Sequence, residues 1–359
     1  MRFAWLLALP VLLGADRFAP VDDAKARLGR LLFYDKVLSG DFAVSCGTCH
    51  DHARASSNGA LLEGAEPIRD EMAIGGLTAY ERLKPSAEHA PTLFNLGHES
   101  VDALFYDGRI ERLPDGRWRT PLDGSLPEGL DSILAVQALF PAVTTGEQAG
   151  NGHGNELEAA LAQDRREAWD LLAARVRDLP PYRPHFEAAF PGKPIDIVSI
   201  ANAIGAFVAS EWRADDSRYD RFLRGEASLS AEEERGRALF FGAGNCASCH
   251  SGPFMGGGFH DAGFPDGTVA EPGRVAVSGD PTDRGAIRTP QLRNVTRTGP
   301  WGHGGTFDTL ESLLRAHAPT LDRRQRADML DFLETLTDEA SLRGRLGKPG
   351  EVPSGLAID

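Results

Sequence analysis

Two short stretches carry reactive residues at a meaningful spacing: Cys46-Gly47-Thr48-Cys49-His50 and Cys246-Ala247-Ser248-Cys249-His250. Together they use all 4 cysteines of the 359-residue chain. Two thiols three positions apart reach the two vinyl groups of a haem and form thioethers. The next residue then lies under the iron as its proximal imidazole. A disulfide framework does not require a His after each second Cys. A zinc knuckle needs further cysteines nearby, and a redox dithiol wants a βαβ setting; neither is visible. The pattern implies two covalently bound c-type haems.

What such irons do depends on the residue opposite each proximal His. Electron transfer alone asks for two strong axial ligands. Peroxide chemistry asks for an open sixth position and distal groups that move a proton. In "TLESLLRAHAPTL", Leu310, Leu313, Leu314 and His317 share one helix face. On that apolar stripe His317 is either a core histidine or a haem ligand. In "AVQALFPAVTTGEQAG", Gln137 falls in a helix that Pro141 ends, and Glu147 falls in the polar loop beyond. Spacing alone does not single out Glu147 from the 52 acidic residues.

The elements that must position these groups read as helices. "PVDDAKARLGRLLFYD" places Leu28, Leu31 and Leu32 at helical spacing just ahead of the first motif. "SAEEERGRALFF", with Ser230 as N-cap and acids in its first turn, leads into the second. Helices are also expected in "EGLDSILAVQALF", in "NELEAALAQDRREAWDLLAARV" behind Asn155, and in the apolar "IDIVSIANAIGAFVASEWR". Helix, short loop and Cys-x-x-Cys-His recur, so the expected class is all-α with extensive irregular loops, arranged as two cytochrome c-type haem domains. The segments 51–127 and 251–308 are Gly/Pro-rich and read as loops that wrap the haems. No strand signal stands out. The expected divisions are a leader over 1–15, domains over 16–225 and 226–345, and a tail over 346–359.

"MRFAWLLALPVLLGADRF" has one Arg before an uncharged run from Phe3 to Leu13, then Gly14-Ala15. That resembles a secretory signal peptide and points to the periplasm; the run is too short to span a bilayer. Leu13 fits small-x-small cleavage poorly, and no other segment is apolar enough to cross a membrane. The net charge of -14 excludes nucleic acid as an expected partner and suits a basic protein.

The chain resembles the bacterial di-haem cytochrome c peroxidase/MauG family over about residues 24 to 337. The similarity rests, in order, on "LGRLLFYDKVLSGDFAVSCGTCH", "HAPTLFNLG", "FYDGR" and "PGRVAVSGDPTDRGAIRTPQLRNVTRTGPWGHGGTFDTLESLL". The resemblance implies that Gln137, Pro141 and Glu147 form the distal set of the first haem, with Glu147 as acid/base and Gln137 holding peroxide. It also implies a sixth ligand for the second haem at His317, fourteen residues after His303. Peroxidases of the family resemble one another in having Met there, and MauG-like members have Tyr; a His lowers the reduction potential relative to Met. Tyr106 stands where the family has a Trp relay between the haems, and Trp118, in the insertion that follows, is a candidate substitute.

The family's inter-domain calcium site maps onto Thr298 and Pro300. Its Asn position is His89, which leaves that set incomplete. No His stands at the offset of the removable distal ligand; His52 is too close to His50 and is expected to face solvent. The first haem is therefore expected to be five-coordinate or water-bound.

The function implied is periplasmic reduction of hydrogen peroxide to water, with electrons from a small c-type cytochrome or copper protein. The alternative is a MauG-like enzyme that uses peroxide to oxidise residues of a partner protein. A non-catalytic di-haem electron carrier is a third reading, which an intact distal acid set disfavours.

Overall fold

Helix α1 (Asp23–Tyr34) starts behind Asp22, whose carboxylate accepts the Ala24 and Lys25 backbone N–H groups. Its buried stripe includes Leu28, Leu32 and Phe33. Gly29 on the same face lies so close to α6 (Ile197–Glu211) that a methyl group there would run into the Ala203 carbonyl. Between them in sequence lie α2 (Ile133–Ala138), α3 (Glu156–Gln163), α4 (Arg165–Arg177) and α5 (Arg183–Ala189). The stretch read as one helix from Asn155 is two, because Asp164 leaves helical geometry and caps α4 through the Arg166 N–H. A single core gathers these helices around Leu32, Phe94, Trp169, Phe207 and Trp212.

The computed structural model describes residues 17–57, 73–74, 77–78, 90–122, 124–144, 147–150, 154–263, 272–303 and 305–359. The expected leader over 1–15 and His89 lie outside the described residues.

A second, smaller core lies around Phe240, Met255, Met329, Phe332 and Leu336. It is built by α8 (Ala231–Phe241), α9 (Leu310–His317) and α10 (Arg323–Glu334), with α7 (Arg218–Leu223) packed beside it through Tyr219. Ser230 caps α8 in a reciprocal box with Glu233, as its sequence predicts. Gly236 repeats the role of Gly29: a methyl group there would meet the Asp328 carbonyl of α10. The last residues run back across the first core. Val352 is buried in it, Ser354 donates to Asp35 at 2.7 Å, and Arg30 donates to the carbonyls of Gly347 and Lys348.

The all-α expectation needs one correction. An antiparallel ribbon of β3 (Ala103–Leu104), β4 (Ile110–Arg112) and β5 (Trp118–Arg119) pairs Ala103 with Glu111 and Arg112 with Trp118. Smaller pairs join β1 (Ala73–Ile74) to β2 (Leu77–Thr78), and β6 (Phe259–His260) to β7 (Ile287–Arg288). Strands of two or three residues are too short to show alternation, so sequence periodicity misses them. Arg274 ties the ribbon to the other half of the chain. It donates to both Glu111 carboxylate oxygens at 2.8 Å and to the Gly108 carbonyl at 3.1 Å. Among the described residues no helix is long and apolar enough to cross a membrane.

The two glycine approaches are testable. Gly29→Ala and Gly236→Ala should each destabilise the holoprotein by about 1–3 kcal/mol, as overpacking does. Urea titrations followed by circular dichroism measure this, and unchanged midpoints would show that the helices are not in such close contact.

Candidate haem sites

Each Cys-x-x-Cys-His forms one tight turn, and in each the imidazole is fixed in the same way. Cys46–Cys49 is a single helical turn opened by a Ser45/Thr48 capping box. The ring of His50 donates from Nδ1 to the Ser56 carbonyl at 2.8 Å. At the second motif, Nδ1 of His250 donates to the Met255 carbonyl at 3.2 Å. Ser56 and Met255 both have positive φ, 60° and 56°, which turns the chain back toward the ring. With Nδ1 engaged in this way, Nε2 is the nitrogen left for a metal. Burial pushes the His50 pKa below its ordinary value and the His250 pKa down to about 4, favouring the neutral imidazole a metal binds.

The approach helices match as well. Phe33 of α1 and Phe240 of α8 each stand four residues after the close-packed glycine. Their ring centroids lie 6.4 Å from His50 and 6.5 Å from His250, tilted by 46° and 49°. Gly-Arg-x-Leu-Phe thus occurs twice, at 29–33 and 236–240.

The donor sets fit haem attachment. None of the four cysteines is in a disulfide. Burial pushes the Cys46 and Cys49 thiols up to about 12, opposite to the depressed values of a reactive dithiol. An apolar recess adjoins Cys46, lined among others by Leu38, Leu139, Leu172, Ile200 and Ile204. Ala138 at the end of α2 and Ala142 in the turn that Pro141 opens share its wall, as does Gln148. The amide of Gln148 reaches the Cys46 sulfur at 3.6 Å.

Of the candidate distal residues, Gln137 is half-buried near the end of α2 and Pro141 opens the short turn that follows. The Gln148 N–H donates to the Pro141 carbonyl at 3.0 Å and so holds the Glu147 loop against that turn. Glu147 is exposed at its surface, yet protein packs around its carboxyl. Desolvation raises its pKa to about 6, and the Arg109 guanidinium acts against that rise. Its charge is also felt at Cys46 and Cys49, so the carboxyl lies at the first site.

At the second site His317 faces His250. Their ring centroids are 6.4 Å apart and their planes cross at 81°. A metal bonded at about 2 Å to one nitrogen of each ring sets facing imidazole centroids roughly 6.3 Å apart. The spacing therefore fits an ion held between the two rings. Burial lowers the His317 pKa as well.

Tyr106 sits in the ribbon turn. Its ring meets His303 edge-on at 5.0 Å, and Arg109 stacks over it at 5.1 Å. Its carbonyl accepts the Arg288 N–H at 2.7 Å, so this turn touches the segment that follows the second motif. Trp118 lies on β5 and packs against the first core. Thr298 donates to the Val295 carbonyl at 3.3 Å, and Pro300 follows two residues later.

His52 corrects an expectation. It does not face solvent: it is mostly buried and bonded to Tyr34 and Glu211, partners too distant in sequence for local reading to supply. Sequence reasoning also passed over Arg109, although it lies within the quoted "FYDGR".

The model of the family described as "Di-haem cytochrome c peroxidase" matches residues 23–228. The methylamine utilization protein MauG of Paracoccus denitrificans is 30% identical, over 100% of this chain and 92% of its own. The cytochrome-c peroxidase IdrP2 of Pseudomonas sp. is 26% identical, covering 93% and 89%. A crystal structure of a MauG-like protein associated with microbial copper homeostasis superimposes with a TM-score of 0.68 at 28% identity, covering 94% of this chain and 97% of that one.

Haem attachment is checked directly. Changing Cys246 and Cys249 to Ser should halve the haem that stays with the denatured chain, read as haem-stained bands and pyridine haemochrome per protein. Full retention would refute thioether bonding at this motif.

Proposed function

Because the chain belongs to the di-haem cytochrome c peroxidase family, we propose that it reduces hydrogen peroxide to water at the first site. The observation that carries this reading is a carboxyl, Glu147, whose surroundings hold its pKa near neutrality, at about 6, and whose charge reaches Cys46 and Cys49 of the first motif. A haem held by Cys46, Cys49 and His50 would supply the iron that takes up the oxidising equivalents of peroxide. The protein's part is proton movement and electrostatics. Glu147, ionised above its pKa, takes the proton from the near oxygen of incoming peroxide and returns it to the far oxygen, which leaves as water. Gln137 holds the substrate by hydrogen bond, and Pro141 ends the helix so that the Glu147 loop can turn back. Arg109 keeps Glu147 more acidic than burial alone would allow.

At the second site Cys246 and Cys249 would attach the haem, and His250 and His317 would cap both of its faces. That arrangement leaves no place for peroxide, and with His where peroxidases of the family have Met it makes a poorer electron reservoir at mild potential. Tyr106, touching His303 on one side and Arg109 on the other, is the proposed relay between the halves. Electrons would come one at a time from a small c-type cytochrome or copper protein, for which the net charge of -14 suits a basic partner. The leader pattern over 1–15 supports the periplasm as location. A calcium site at Thr298 and Pro300 would lack an oxygen donor, because position 89 is a histidine.

The His250–His317 pairing also favours a second reading, in which the second site shares oxidising charge with the first and together they act on residues of a partner protein, as in a MauG-like enzyme. Turnover separates the two. Steady consumption of peroxide with a reduced small cytochrome supports the first reading. Slow oxidation of a partner protein without such turnover supports the second.

Glu147→Gln should lower kcat/KM for peroxide by about 10²- to 10⁴-fold, the usual worth of a positioned acid/base. In the wild type kcat/KM should fall as pH drops through about 6, since the carboxyl must be ionised to accept the first proton. Arg109→Gln should move that acid limb to higher pH. A Glu147→Gln enzyme with undiminished activity would remove Glu147 from the mechanism.

A further inference from the structure

Behind the first motif, on the side of α1 and α6, lies a buried set of hydrogen-bonded groups that this mechanism does not use. The Tyr34 hydroxyl donates to Nδ1 of His52 at 2.6 Å, and Nε2 of His52 donates to Oε1 of Glu211 at 2.9 Å. Tyr34 is 2% and Glu211 1% exposed. The Leu346 and Gly347 N–H groups donate to the same carboxylate at 2.8 and 2.7 Å, so three donors converge on Glu211. Gly344, at φ 69°, leaves the room: a methyl group there would press on both the Glu211 carboxylate and His52. The Tyr34 ring lies so close to the Cys46–Cys49 turn that Gly47 has no space for a side chain. Phe33 bridges onward, 5.2 Å from the Tyr34 ring and 6.4 Å from that of His50.

We propose that Tyr34 is a redox-active tyrosine, an outlet through which an oxidising equivalent leaves the first site on its proximal side. The inference rests on the peroxidase reading, because hydrogen peroxide, acting at the first haem, is the oxidant. One electron passes from the Tyr34 ring to the peroxide-oxidised site. The phenolic O–H bond breaks, and its proton forms an N–H bond at Nδ1 of His52. The products are a neutral Tyr34 radical and an imidazolium against the Glu211 carboxylate. Phenol oxidation is difficult when the proton has nowhere to go; here an acceptor is already bonded and its resulting charge is already countered. Trp212 shows the contrast. Its ring lies tilted against His52 at 4.8 Å, but its indole N–H meets no acceptor among the described residues, so the proton-coupled step falls to Tyr34.

The test uses the di-haem holoprotein mixed with hydrogen peroxide without electron donor and freeze-quenched. Electron paramagnetic resonance and haem absorbance are read on the same samples. The expected result is an organic radical whose lineshape narrows when the protein is made with ring-deuterated tyrosine. Tyr34→Phe, which keeps the ring against Gly47, should lower that signal at least about tenfold. His52→Gln, which keeps a hydrogen-bond acceptor but no base, should slow its formation by about 10²-fold. Haem bands that respond to peroxide with no tyrosyl signal, or a signal unchanged in Tyr34→Phe, would overturn the outlet while leaving the peroxidase reading intact. Haem bands that peroxide leaves untouched would overturn the peroxidase reading, and the outlet with it.

Discussion

Two imidazoles are each held by one nitrogen to a backbone carbonyl, and the rest of the structure is arranged around that constraint. His50 and His250 sit at the ends of turns too short to steer a ring by themselves. Orientation comes from Ser56 and Met255, whose left-handed backbone brings a carbonyl back to Nδ1. Once that bond forms, the tautomer is set and Nε2 is left for iron. The helices ahead of each motif then have one task, to bring a Phe against the ring. Gly29 and Gly236 let α1 and α8 approach their neighbours closely enough to do so.

From this shared frame the two sites diverge in what lies opposite. The second core supplies His317 from α9, at the separation that a metal between two rings requires. The first supplies a carboxyl, Glu147, that desolvation makes a weak enough acid to exchange protons near neutral pH. One half pairs two imidazoles and the other sets a carboxyl near its motif. The ribbon between them is held by a buried arginine, Arg274, on Glu111, so the position of Tyr106 does not depend on loop contacts alone.

Much of this was legible in the sequence, because a motif made of neighbouring residues has a fixed local spacing. Cys-x-x-Cys-His identifies both motifs without any tertiary information, and the helices ahead of them are readable from leucine spacing and the Ser230 cap. Glu147 was singled out only through family resemblance, because one acid among many carries no local mark. His52 was misread because its partners are not local: Tyr34 and Glu211 reach it from α1 and from the end of α6. The ribbon was missed because strands of two or three residues have no period to detect. The duplicated Gly-Arg-x-Leu-Phe is present in the sequence, but its meaning depends on knowing that each Gly touches another helix and each Phe touches an imidazole.

The central claim is that one iron has an open face beside Glu147 while the other is closed by His317. The electron paramagnetic resonance spectrum of the resting ferric protein reports both irons at once. The account predicts one high-spin and one low-spin haem in equal amounts, with the low-spin component alone turning high-spin in His317→Gly. Two low-spin haems in the wild type, or a His317→Gly spectrum identical to it, would contradict the account.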